Sequence, residues 1–329
     1  TPPGSSKDGG TPAAPVSAAP VNMGPLPGWI GEAKALGEPP AKALKVTSKG
    51  GEGTYKSIRN AILSGGSNSH IVILDPEHAE VISLDGSQGL SNITIEGWPR
   101  SNRPVVLSYP EFAELNKPLI TINSAEGIQF KNLVLRGSGR DSEIIQCTGE
   151  CVGLGFSEVK FTNYKKAAIH LSNAMGTRQQ PILFSGLWFH VDSEIEAALR
   201  LEGRSKFIIV ERSRFIGPYL GAVSLSGELA NIEFKQCRFS KNTAGLLYKS
   251  GLADLRVSQC VFAEPVSAAF YFNQGMPASA TGWQVENNLF LNTNRIALVR
   301  GVKLEAPAGM AAQWLWANDG QNNSNTAIK

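Results

Sequence analysis

GLGFSEVKF (153–161), ILFSGLWF (182–189), IIVERSRF (208–215), IEFKQCRF (232–239) and LRVSQCVF (255–262) are versions of one short block. Each alternates apolar and polar residues with the period of two that marks a strand with one buried face. GIQFKNLVL (127–135) extends the series upstream and WQVENNLF (283–290) extends it downstream. Aligned on the central apolar residue, the column reads Phe130, Phe156, Phe184, Val210, Phe234, Val257 and Val285, in steps of 26, 28, 26, 24, 23 and 28 residues. A second set of blocks interleaves with the first, among them IIQC (144–147), AAIHLS (167–172), AALRLE (197–202), GAVSLS (221–226) and AAFYFN (268–273). Its inward columns run Ile145, Ile169, Leu199, Val223, Leu246, Phe270, Ala297 and Cys147, Leu171, Leu201, Leu225, Tyr248, Phe272, Val299.

A coil of this size cannot bury its apolar face alone. Stacked coils can, because each strand pairs with neighbours about 4.8 Å above and below and like residues fall on like. Parallel strands also need crossovers, which a solenoid coil supplies. The spacing therefore predicts an all-β right-handed parallel β-helix from about Ser91 to Arg300, its hand following the general chirality of parallel crossovers. The Leu/Asn consensus of a leucine-rich repeat is absent, and the repeats are too short for propeller blades.

Working outward, residues 1–28 (TPPGSSKDGGTPAAPVSAAPVNMGPLPG) are rich in Pro, Gly, Ala and Ser without any hydrophobic period. They read as a linker tethering the chain to another domain. The β-helix domain with its N-terminal cap is expected over 43–302. A short helix is expected near 54–64, with Thr54 as N-cap, Gly65-Gly66 as its end, and Tyr55, Ile58, Ala61 and Ile62 as an apolar stripe. Residues 303–329 divide into a C-terminal cover around Trp314 and Trp316 and a disordered tail, DGQNNSNTAIK.

Apolar residues make up 42% of the 329, charged residues 18%, and the net charge is +3. That balance points away from nucleic acid and from polybasic membrane binding. No apolar run is long enough to span a bilayer. Cys147 and Cys151 are spaced either for a small loop disulfide or for two free thiols. Cys237 and Cys260 share an inward column with Leu133, Val159 and Leu187, which suits buried thiols better than a disulfide.

Three polar groupings are candidates for chemistry. Alternation places Gln146, His170, Arg200, Ser224 and Tyr271 in one outward column, with Thr148, Ser172, Glu202, Ser226, Lys249 and Asn273 in the next. His170, Arg200, Glu202, Lys249 and Tyr271 are the ligand-binding candidates, since sugar hydroxyls need hydrogen bonds and sugar faces favour aromatic surface; a solvated face with an ion pair is the plainer reading. The turn after Phe189 carries His190, Asp192, Glu194 and Glu196, and the equivalent turn two coils earlier carries Asp141 and Glu143. Asp192, Glu194 and Asp141, with Arg200, are the catalytic candidates; paired carboxylates could cleave a glycosidic bond or hold Ca²⁺. Lys165 and Lys166 lie between these turns and would equally neutralise them. Glu211 beside Lys235 and Glu233 beside Arg256 form a structural charge ladder. Trp188 falls in an outward column beside Lys160 and Arg214, where it could pack under a turn or stack on a sugar.

The segment VTSKGGEGTYKSIRNAI followed by IVIL resembles the entry of the pectate-lyase-like β-helices, including pectin methylesterases. The residues that carry the likeness are Gly51, Gly53, Thr54, Tyr55, Ile58, Ala61 and Ile62. With the repeats, the resemblance covers roughly 43–302 and implies the fold, not the activity. The Gly-x-Asp-Phe-Ile-Phe esterase block, the Asn-Thr-Asp and Gly-Asp-Asp polygalacturonase pattern and the Arg-x-Pro-x-x-Arg lyase segment are not found. A linker followed by a β-helix also resembles extracellular modules of bacterial multidomain proteins, including some membrane-anchored Ser/Thr kinases. The leading expectation is an extracytoplasmic polysaccharide-binding or sensor module of a larger bacterial protein without a cofactor. A polysaccharide lyase or glycoside hydrolase is the alternative, and a structural spacer the third reading.

Overall fold

The computed structural model describes residues 33–114, 116–140, 142–273, 282–293, 297–299 and 324–326. They form a parallel β-solenoid of about nine turns. The stacked coils present three faces, with one strand on each in most coils; in two coils a single strand, Gln129–Arg136 or Gly155–Thr162, runs through the first two faces. The first face holds the central column: Phe130 pairs with Phe156, Phe156 with Phe184, Phe184 with Val210, Val210 with Phe234, Phe234 with Val257 and Val257 with Val285. The third face holds Ile145, Ile169, Leu199, Val223, Leu246, Phe270 and Ala297 in unbroken register. The second face lies between them and includes Trp188–His190, Arg214–Ile216, Arg238–Ser240 and Val261–Ala263.

On the inner side of the second face the phenylalanines stack along the axis. Successive ring centroids from Phe161 through Phe189, Phe215, Phe239 and Phe262 to Phe290 are 4.7, 4.8, 4.9, 4.7 and 5.4 Å apart, all near parallel. One coil's rise sets this spacing, and the stack buries six aromatic rings without a polar atom among them. Cys147, Cys151, Cys237 and Cys260 are all free thiols in the same core, which settles the open disulfide question at 147/151.

The corner between first and second faces has one left-handed residue per coil. Asn132, Glu158, Gly186, Arg212, Gln236, Gln259 and Asn287 have φ between 50° and 65°. A single residue in this region turns an extended chain sharply. Asn and Gly tolerate it, but here the stacked strands impose it on Glu, Arg and Gln as well.

The solenoid begins earlier than the repeat near Ser91 indicates. Leu44 pairs with Ile71, Ile71 with Ile95 and Ile95 with Phe130, so the first-face column starts at Leu44. The helix is Ile58–Gly65, and its N-cap is Ser57, not Thr54. Thr54–Tyr55 instead form a short strand beside Leu44–Val46. The N-terminus is fixed from afar: the Glu80 carboxylate accepts the N–H groups of Ile58 at 2.6 Å and Arg59 at 2.9 Å, and it is held by buried His78 at 2.9 Å. Burial opposes ionisation of Glu80, but the His78 and backbone hydrogen bonds outweigh it and keep its pKa below the usual value. Glu80→Ala is expected to cost about 1–2 kcal/mol, with faster amide exchange confined to the helix; unchanged exchange at Asn60–Leu63 would count against this anchoring.

At the other end, Ser324–Thr326 pair in parallel with Leu289–Leu291. The remaining expectations for 1–28 and for the Trp314/Trp316 cover fall outside the described residues. No helix among the described residues is long and apolar enough to cross a membrane.

Candidate functional site

The outward column of the third face runs Gln146, His170, Arg200, Ser224, Leu247, Tyr271, as alternation predicts. The next begins Thr148, Ser172, Glu202, Ser226. On this face His170 Nε2 lies 2.9 Å from Glu202, and Arg200 Nη2 donates to Glu202 at 2.5 Å. Glu143 joins them, 3.6 Å from both His170 Nδ1 and Arg200 Nη1 and 3.3 Å from Lys166 Nζ. Lys249 closes on Glu196 at 3.1 Å. The neighbouring His170, against the opposing effect of burial, draws the Glu143 pKa down to about 2, with help from Lys166. The charges are thus matched within the protein, across several coils. Arg200 Nε and Ser224 Oγ are buried without a hydrogen-bond partner.

The acidic turn is dispersed. Asp192 is almost fully exposed and lies 3.5 Å from His190, Glu194 is exposed, and Glu196 faces Lys249 instead. Asp141 falls outside the described residues. Among the described residues no group of three or more His, Cys, Asp or Glu side chains is placed to hold a metal ion. In the charge ladder the strand register holds, Glu211 to Lys235 and Glu233 to Arg256. The ion pairs that form are Arg256–Glu286 at 2.9 Å and Arg212–Glu211 at 3.3 Å.

A cleft of about 490 Å³ opens on the outer side of the first face. Thr177, Arg178 and Pro181 line it from one coil; Phe207 and Ile209, Asn231 and Glu233, Asp254 and Arg256, and Gln284 continue along the next four. That volume is within the range of sites for small organic ligands, and the lining mixes apolar surface with both hydrogen-bond donors and acceptors. Phe207 is the unusual member. It is half-buried with φ 55°, opposite Asn231, which also has φ 55°. Left-handed backbone suits Asn but costs a bulky residue about 1–2 kcal/mol. Phe207 lies one residue before the IIVERSRF block, and no pattern in the sequence marks its backbone.

No protein-family model matches the chain, and no curated protein matches it. Two solved structures of the catalytic domain of a GH87 α-1,3-glucanase, one of a variant with tetrasaccharides and one with nigerose, are similar in fold. They align at TM-scores of 0.59 and 0.57, with 11% and 12% identity, over 79% of this chain and 48% and 47% of theirs. This chain is a right-handed parallel β-helix. The β-helix spans about half the length of the two glucanase domains. The pectin methylesterase of Aspergillus niger aligns over 90% of this chain and 93% of its own at 14% identity and a TM-score of 0.32.

Proposed function

We propose that this β-helix is a non-catalytic, extracytoplasmic carbohydrate-binding module that holds a polysaccharide chain along the first-face cleft. The observation that supports it is Phe207, presented to the cleft at a backbone conformation its side chain disfavours. Strain of this kind persists where the position of a side chain is used. An aromatic face beside Arg178, Asn231, Asp254, Arg256 and Gln284 offers what a sugar ring needs, an apolar platform and a rim of donors and acceptors. A cleft that runs across consecutive coils suits an extended polymer. The glucanase catalytic domains of similar fold, solved with oligosaccharides, support carbohydrate as the class of ligand, for binding and for hydrolysis alike.

In this proposal His170, Arg200, Glu202 and Lys249 bind the coils to one another, and residues 1–28 tether the module to a larger protein. The rival reading, hydrolysis, is favoured by one observation: Glu233 and Asp254, two carboxylates from adjacent coils, both line the cleft. Retention of the protein in gels containing α-glucan, xyloglucan or pectin, paired with a reducing-end assay on the same polymers, tests both. Retention without new reducing ends is expected. Release of reducing ends that is abolished in Asp254→Asn would replace binding by hydrolysis, and no retention by any polymer would remove both.

A further inference from the structure

The second face carries a different feature on its outer side. Lys160, Trp188, Arg214 and Arg238 stand in one column, each paired in register with the next. Lys160 Nζ and the Arg214 guanidinium each lie 5.3 Å from the Trp188 ring centroid, one on the coil before it and one on the coil after. Arg214 is only 7% exposed. Its Nε and Nη2 are buried without a hydrogen-bond partner, and so is Trp188 Nε1. Among the described residues no carboxylate forms an ion pair with Lys160, Arg214 or Arg238.

Three buried nitrogens in one place, all donors, lack an acceptor. Unpaired buried charge is among the more costly features a fold can carry. Like charges in directly paired positions, as in Arg214 and Arg238, add to the cost. Burial and the neighbouring Arg238 also hold the Arg214 pKa below the usual arginine range. A fold stabilised for its own sake would place an acid or an apolar residue here. The chemistry that satisfies all three donors and the surplus charge is an oxyanion. Guanidinium binds carboxylate and sulfate oxygens bidentately.

We infer that the Lys160–Trp188–Arg214–Arg238 column is an oxyanion-binding site for the carboxylate or sulfate groups of an anionic polysaccharide. The site is on a different face from the Phe207 cleft; it rests on the carbohydrate reading only for the class of ligand and goes beyond it by adding a second, anion-selective site. Lys160 and Arg238 are long, half-buried side chains on either side of the buried donors. In this inference the two side chains swing aside to admit the anion, since both are long and flexible.

Affinity electrophoresis in gels containing polygalacturonate, dextran sulfate or neutral dextran tests the site, together with thermal unfolding of each variant. The wild-type protein is expected to be retarded by an anionic polymer, with retardation that weakens steeply as salt rises. Retardation by polygalacturonate identifies a carboxylate ligand, and by dextran sulfate alone a sulfate. Arg214→Gln and Arg238→Gln are expected to lower that affinity at least tenfold. Arg214→Gln is also expected to leave the Tm unchanged or raised, because it removes an unpaired buried charge. A purely structural cation–π role predicts the reverse, a lower Tm with unchanged retention, and that result overturns the inference. So does the absence of retardation by both anionic polymers at low salt, or equal retardation of wild type and Arg238→Gln. Phe207→Asn with the neutral polymers reads the cleft separately, so either site can fail without the other.

Discussion

Phe215→Ala is expected to destabilise the protein by about 3–5 kcal/mol, in the range of large-to-small aromatic substitutions in a packed core. Phe215 is fully buried, with Phe189 at 4.8 Å on one side and Phe239 at 4.9 Å on the other. Truncation leaves a gap that neither neighbour can fill, since each ring is fixed at its own coil by strand pairing. A solenoid's stability is close to a sum over adjacent coils, so a defect in the middle weakens two interfaces at once. Urea unfolding is therefore expected to show a lower midpoint and a broader transition, as the two halves uncouple. Phe215→Leu, which keeps most of the volume, is expected to cost less than half as much. A loss under 1 kcal/mol for the alanine variant would mean that the column does not carry the core.

Arg200→Ala is expected to cost about 2–4 kcal/mol, because it leaves Glu202 in a half-buried setting without its main counter-charge. Arg200 lies 2.5 Å from Glu202 and 3.6 Å from Glu143. The double variant Arg200→Ala/Glu202→Gln is expected to recover part of the loss, since the stranded charge goes with its partner. The pH dependence has a definite sign. Glu143 is drawn down to about 2 from an ordinary 4.5 by the neighbouring His170 and Lys166, so its contribution is complete above pH 4.5 and is lost as pH falls toward 2. The wild-type protein should lose on the order of 2–3 kcal/mol across that window from this group. Glu143→Gln should flatten the same part of the curve. A Glu143→Gln profile parallel to that of wild type would show that the carboxylate is not engaged as described.

The solenoid was legible because its information is periodic. Phe156, Phe184 and Phe234 recur at nearly equal steps, and alternation around them separates inside from outside. The same alternation put Trp188 on the outer side between Lys160 and Arg214, and put His170, Arg200 and Glu202 together. It did not show Glu143 joining them, because a turn residue has no fixed register. The left-handed corners were hidden for another reason. Coil stacking imposes that conformation on Glu158, Arg212 and Gln236, whose side chains do not announce it. Phe207 was not singled out, since it lies one residue before the IIVERSRF block, and only its φ sets it apart. The cap was misread by three residues, since its anchor, Glu80, is 22 positions from Ile58.

The central claim is that Phe207 is kept in a costly conformation in order to hold carbohydrate. Phe207→Asn tests it most directly, because Asn accepts the left-handed backbone and removes only the aromatic face. Unfolding and polysaccharide retention are measured on the same preparation. The variant is expected to be as stable as wild type or up to about 1 kcal/mol more stable, with retention lowered at least tenfold. A variant that is destabilised yet still retained would show that Phe207 serves packing, and the cleft would no longer be the binding site.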